Sequence, residues 1–264
     1  MPSPLANLAP ARRRQVQALT GVVTILVLAL VVWLVARAVN KDGGADQASA
    51  GPVLLVPGYG GDTSDLAPLA AAVERQGREA VIYRPTGAEQ GDLRVQAGRL
   101  SALAKDTMKR TGAPSVDVIG YSAGGVIARL FVRDDGGASV VRRVLTLGSP
   151  HHGTDTATDI KDVAGQCPTA CEQMATGSEL IARLNSGDET PSGPEWITVR
   201  TDKDTVVTPT TSARLDGALN IRVQAVCPGD ETTHGTLPRD PVVLATIGSA
   251  LGTGDPRTPA HVTC

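Results

Sequence analysis

The chain reads as an α/β domain, a mostly parallel central sheet with helices on both faces, set after an N-terminal apolar helix. Short all-apolar runs such as Val53-Leu54-Leu55-Val56 alternate with longer stretches of 3.6-residue periodicity. Pro and Gly punctuate the joins, as in Pro57-Gly58 and Thr111-Gly112. Roughly 215 residues follow the atypical N-terminal ~45, which suits one domain with one core. Strands that alternate with helices pair in parallel, because each helix serves as a crossover. The organisation expected is therefore a signal anchor or signal peptide over 1–39, a flexible polar linker over 40–51 (NKDGGADQASAG) and a folded domain over 52–264.

Arg12, Arg13 and Arg14 precede an apolar run from Gly21 to Ala36 that has no polar face. With Ala18, Leu19 and Thr20 it approaches the ~20 residues that span a bilayer. It fits an uncut anchor with the arginines inside. It also fits a secretory signal cut after Ala36-Arg37-Ala38, although the run exceeds the usual ~7–15-residue signal core. Both readings put the domain outside the cytoplasm, anchored to the membrane or secreted.

In the folded domain, Val53–Val56 is the first strand and Leu66–Arg75 the first helix. Ala80–Tyr83 is the second strand. Leu93, Ala97, Leu100, Leu103, Ala104 and Met108 form the apolar stripe of a helix over Asp92–Arg110. Val116–Ile119 is a strand, Val126–Val132 a helix and Val140–Leu147 a strand. Trp196–Val199 and Ile221–Val226 are further strands, and Pro241–Leu251 a closing helix. The stretch from Gly153 to Leu184 breaks the alternation and reads as an insertion, either a mobile lid or a disulfide-pinned loop.

Aromatics make up 2% of the chain, so Val, Leu, Ile and Ala must fill the core. A net charge of −2 offers nucleic acid no electrostatic footing. Outside the cytoplasm the four cysteines are expected in disulfides. Of three possible pairings, the spacing favours Cys167–Cys171 as a local staple and Cys227–Cys264 as a tether for the C-terminus. A zinc site is the rival, but one CxxxC with no well-spaced second ligand pair supports it weakly, and no metal is expected.

Gly120-Tyr121-Ser122-Ala123-Gly124 stands between a strand and a helix. A G-x-S-x-G there forms a tight elbow that exposes the serine hydroxyl and aims a helix N-terminus at the reacting centre. Ser122 is the candidate nucleophile. The N–H of Ala123 directly after it is one candidate oxyanion donor, and Tyr59 in the Gly-rich loop Pro57-Gly58-Tyr59-Gly60-Gly61 supplies the other. Triads on such elbows run in the chain order Ser, acid, His. His151 and His152 follow Ser122 too soon to leave a strand for the acid, and His261 lies in the tail, which leaves His234. Asp204 is preferred as the acid over Asp202, with Asp216 third, because Thr205-Val206-Val207 can partly bury its carboxylate.

With PVLLVPGYGG, VDVIGYSAGG, LTLGSPHHGT, TDKDTVVTP and TTHGTLPRDP on view, the chain from about Pro52 to Leu251 resembles the small secreted bacterial triacylglycerol lipases of the α/β-hydrolase superfamily, especially actinobacterial ones. The resemblance implies the α/β-hydrolase fold, a nucleophile at Ser122, acid at Asp204, base at His234 and oxyanion donors at Tyr59 and Ala123. Hydrolysis of small-molecule or lipid carboxylic esters through a covalent acyl step is the expected activity; the mechanism requires no cofactor, and a monomer is expected. Two positions depart from the pattern: Pro57 stands where His usually precedes the first oxyanion Gly, and Tyr121 where His commonly precedes the nucleophile. The alternatives are a related hydrolase or acyltransferase acting on amides, thioesters or cell-envelope acyl groups, and a non-catalytic surface module.

Overall fold

The computed structural model describes residues 19, 21–31, 44–85, 91–164 and 167–264. The chain divides into two units, Met1–Gly43 and Gly44–Cys264. In the first, residues 21–31 are helical, and most of the anchor or signal segment expected over 1–39 lies outside the described residues. Among the described residues, no helix is long and apolar enough to cross a membrane.

Six parallel strands carry the second unit: β1 (Val53–Val56), β2 (Ala80–Ile82), β3 (Val116–Tyr121), β4 (Val141–Leu147), β5 (Glu195–Arg200) and β6 (Leu219–Arg222). Their spatial order is β2-β1-β3-β4-β5-β6. Every residue of β1, β3 and β4 is buried, as a sheet covered on both faces requires. The two-residue period of the strands divides the core in two. Leu54, Val56, Val118 and Val144 face α2 (Leu93–Thr111) and α3 (Ala123–Asp134). Val53, Leu55, Ile119, Leu145 and Ile197 face α1 (Ala67–Glu74) and the closing helix α8 (Pro241–Leu251). Each aliphatic side chain buried this way contributes on the order of 1.5–3 kcal/mol. The long helix α2 is bounded as its sequence asks: the Asp92 carboxylate accepts from the Arg94 N–H at 2.8 Å, and Gly112 closes the helix at φ 72°.

The insertion between β4 and β5 folds into three short helices: α4 (Asp155–Ala164), α5 (Thr169–Met174) and α6 (Glu179–Leu184). Ala170, Leu180, Ile181 and Leu184 join the main core, so α5 and α6 are seated rather than loose. Disulfides join Cys167 to Cys171 and Cys227 to Cys264.

Two expectations need correcting. The run Ile221–Val226 is not one strand: β6 ends at Arg222 and α7 (Val223–Val226) is a helical turn. Its β-branched residues fit either state, and tertiary contacts decide. The Cys227 N–H closes the turn on the Val223 carbonyl, and the Gln224 amide accepts from Asp202 N and donates to Thr201. The linker expected over 40–51 is also, over its described part 44–51, bonded to the folded unit. Ser115 Oγ donates to Ser49 O at 3.2 Å, and Gln47 Nε2 to Arg142 O at 3.0 Å.

At the amino end of the sheet, Asp117 of β3 is fully buried between two arginines. Its Oδ2 lies 2.5 Å from Arg142 Nη2 and 2.6 Å from Arg78 Nη2. Arg142, Arg143 and Arg78 also donate to carbonyls in the first and last segments of the folded unit, including Gln47, Gly51, Ala250 and Leu251.

Candidate active site

The chain leaves β1 for β2 on one side and resumes at β3 on the other. Loops that diverge in this way leave a crevice at the strands' carboxyl ends, where ligands of such sheets collect. Pro57-Gly58-Tyr59 follows β1 and Ser122 follows β3, so both stand at this crevice.

Ser122 has φ 54° and ψ −122°, and among the described residues it alone combines a side chain with positive φ. Such a backbone costs about 1–3 kcal/mol and persists only where its surroundings impose it. Here the Ser122 N–H donates to the Leu147 carbonyl of β4 at 2.8 Å, and its own carbonyl accepts from Gly125 N at 3.0 Å. The flanking glycines are needed for space. A Cβ at Gly120 would stand 2.6 Å from the Gly124 backbone, and one at Gly124 would collide with the Val56 carbonyl.

Asp204 lies in the loop after β5. One oxygen, Oδ1, accepts the amides of Val206 and Val207 at 2.9 and 2.8 Å, which fixes the carboxylate plane. His234 opens a 3-10 turn (His234–Arg239) whose entry is closed by a Thr233–Thr236 capping box. Thr201 Oγ1 donates to Thr232 O at 2.6 Å, and Thr232 Oγ1 to Asp240 Oδ2 at 2.5 Å, so the loop is tied to β5 and to the start of α8. Burial raises the Asp240 carboxyl above its ordinary range.

These three loops converge. His234 Nδ1 lies 2.8 Å from Asp204 Oδ2 and His234 Nε2 lies 3.0 Å from Ser122 Oγ. Ser122, Asp204 and His234 are only 8%, 6% and 7% exposed, so bulk water competes little for these bonds. The arrangement can pass a proton from a hydroxyl to a ring held by a carboxylate.

Ala123 is the first residue of α3, so its N–H belongs to the turn that lacks intrahelical acceptors. Gly58 comes so near the elbow that a Cβ there would be 3.1 Å from Ser122 Cβ. Tyr59 and Ser122 line one cavity of about 150 Å³, whose other walls are mainly apolar: Ile160 of α4, Cys171 and Met174 of α5, and Val206 and Val207 beside Asp204. Thr154 couples these parts, since its Oγ1 donates to Val206 O at 2.7 Å and its N–H to Met174 O at 2.8 Å. The insertion thus forms the roof of the crevice.

The remaining candidates lie elsewhere. Asp202 pairs through its carboxylate with Arg222 at 2.8 Å. Asp216 N–H donates to Glu189. His151 is fully buried with Nε2 2.9 Å from Thr146 Oγ1, and burial, followed by the charges of Arg129 and His152, holds it well below the ordinary histidine range. His152 Nε2 meets Glu189 at 2.8 Å, and His261 is exposed. Among the described residues, no three His, Cys, Asp or Glu side chains are grouped to hold a metal. Sequence reasoning missed the Val206 and Val207 amides, because a backbone donor leaves no mark on residue identity. It also missed the contact of Tyr121 with His234, for which the unusual residue before the serine was the one available signal.

The palmitoyl protein thioesterase family model matches residues 52–188, from the start of β1 through the elbow to the end of the insertion. That is more than half of the chain. The protein belongs to the palmitoyl protein thioesterase family. The part shared with this family holds Tyr59, Ser122 and Ala123, whereas Asp204 and His234 lie beyond it. Triacylglycerol lipases of Pseudarthrobacter phenanthrenivorans and Burkholderia plantarii are each 29% identical to the chain over 126 residues, 45% of its length. That stretch is 39% and 34% of those proteins, so the chain spans little over a third of the curated relatives it matches. Among solved structures, Aspergillus fumigatus lipase B superposes with TM-score 0.70 at 19% identity, over 79% of this chain and 54% of that one. Mature Bacillus licheniformis lipase BlEst2 gives 0.60 at 20%, over 72% and 87%. At such identities the likeness establishes the fold, which is that of the α/β-hydrolases. The two disulfides point to an oxidising setting outside the cytoplasm.

Proposed function

We propose that this family member is a serine hydrolase that cleaves carboxylic esters of acylglycerol type through an acyl-enzyme on Ser122. The observation that carries the reading is the relay from Ser122 Oγ to His234 Nε2 and from His234 Nδ1 to Asp204, set on the wall of an apolar cavity. His234 takes the hydroxyl proton as Oγ attacks the ester carbonyl, and the N–H groups of Tyr59 and Ala123 receive the oxyanion. The carbon–oxygen bond to the alcohol then breaks as His234 returns the proton to the leaving oxygen. Water, deprotonated by the same ring, releases the acid and restores Ser122. Asp204 keeps the imidazole oriented and stabilises its cation without taking the proton. The scheme draws on no metal or organic cofactor, and one chain supplies every group it needs.

The apolar walls formed by Ile160, Met174, Val206 and Val207 favour an acyl chain as the part bound next to Ser122. Ser122→Ala is expected to lose p-nitrophenyl ester hydrolysis to near background; retention of near-wild-type turnover would refute the reading. A thioester is the second reading, and the family match over 52–188 favours it. Oxygen and thio esters of one acyl group, compared by kcat/KM, separate the two. We further propose that the enzyme acts outside the cytoplasm, membrane-held or released according to whether residues 1–39 are kept. Mass spectrometry of the mature N-terminus tests this.

A further inference from the structure

The side chain that precedes the nucleophile touches three parts of the site. Tyr121 is buried, and its Oη donates to the backbone carbonyl of His234 at 3.1 Å. Its ring stands 5.3 Å from the imidazole, tilted by 33°. On its other side, a Cβ on Gly58 would be 3.5 Å from Tyr121 Cδ1 and Cε1, which places the ring against the loop that carries Tyr59. The backbone of Tyr121 is the last residue of β3, so the ring is anchored to the sheet one residue before Ser122.

His234, by contrast, enters from a loop 112 residues away in sequence. Its two ring bonds, to Ser122 and Asp204, fix the imidazole only if the backbone below it keeps its place. The Tyr121 hydroxyl supplies that hold from the strand that carries the nucleophile. Burial pushes the phenol up to about 12, with the nearby Asp65 and Asp204 carboxylates adding to it, so it remains a donor across the range in which the enzyme would work.

Resting on the serine hydrolase reading above, we propose that Tyr121 is a positioning residue: its hydroxyl pins the His234 backbone so that Nε2 stays in line with Ser122 Oγ, while its ring keeps the Gly58 loop in register with the elbow. Its hydrogen bond is to the His234 backbone and not to the reacting ring nitrogens. Because His234 moves the proton in both acylation and deacylation, the effect belongs in the rates of both steps and not in substrate affinity.

The test compares wild type with Tyr121→Phe, which keeps the ring and removes one donor. Turnover of a p-nitrophenyl ester is expressed per active site titrated with a fluorophosphonate, so that misfolded molecules drop out of the comparison. The expected result is a fall in kcat per titrated site of about three- to ten-fold, the size of one neutral hydrogen bond, with KM unchanged. Tyr121→Leu, which also removes the ring, is expected to fall further. Full kcat per titrated site in Tyr121→Phe would overturn the positioning role, and so would a loss confined to KM. Absence of fluorophosphonate labelling at Ser122 in wild type would instead overturn the hydrolase reading, and this proposal with it.

Discussion

The two ends of the sheet bury polar groups in opposite ways. At the amino end, Asp117 is clasped by Arg142 and Arg78. The arginines spend their other donors on carbonyls at both ends of the folded unit. Each of these groups is held by partners that the fold fixes in place. At the carboxyl end, Ser122 and His234 meet through one bond of 3.0 Å, and both side chains can change protonation. One end ties the chain together through ion pairs, and the other is arranged to move a proton. Burial alone therefore does not mark a functional site; the chemistry of the buried groups does.

This contrast predicts that damage at the two ends appears in different measurements. The largest effect is expected from His234→Ala: kcat should fall by roughly four orders of magnitude or more, while thermal unfolding stays within a few degrees of wild type. Asp117→Ala should do the reverse. It leaves two arginines without their carboxylate, which costs about 3–5 kcal/mol, on the order of 10 °C in Tm. Activity per folded molecule should persist. A collapse of kcat in folded Asp117→Ala would erase the distinction between the ends.

Next in size is Cys264→Ser, which opens the loop closed by Cys227, a residue buried in the core beside α8. Chain entropy gives a loss of about 3–4 kcal/mol, read as a lower urea midpoint with kcat unchanged. The smallest effect should come from Ile160→Ala in the cavity roof. Ile160 is 45% exposed, so the lost contact should raise KM for long acyl chains only a few-fold and leave short ones alone. Equal effects on long and short chains would show that the acyl group does not lie along α4.

The same contrast explains what was readable in the sequence. The elbow is local: Gly120, Ser122 and Gly124 lie within five residues, and each has its own steric or chemical reason. Chain order then narrows the partners to Asp204 and His234, because strands placed in sequence fix which loops meet. The strands and long helices were equally legible, since β1 is apolar throughout, β3 and β4 keep β-branched and aliphatic residues around Asp117 and Arg142-Arg143, and α2 carries a clean stripe. The amino end was not. Arg142 in β4 pairs with Asp117 from β3, Arg142 and Arg143 both donate to carbonyls more than 90 residues away, and nothing local announces such partners. The turn at Val223–Val226 was misread for a similar reason, as its helical state depends on the Cys227 and Gln224 contacts. The bond from Tyr121 to His234 also joins residues that only the fold brings together.

The central claim is that ester cleavage runs through a covalent intermediate on the strained serine. Acid-quenching the enzyme within the first turnover of a p-nitrophenyl ester, and weighing the intact protein and its peptides, tests this most directly. The account predicts one added acyl group, on the peptide containing Ser122, formed together with a burst of p-nitrophenol and absent from Ser122→Ala. Turnover with no acyl adduct at Ser122, or an adduct that persists in the alanine variant, would contradict it.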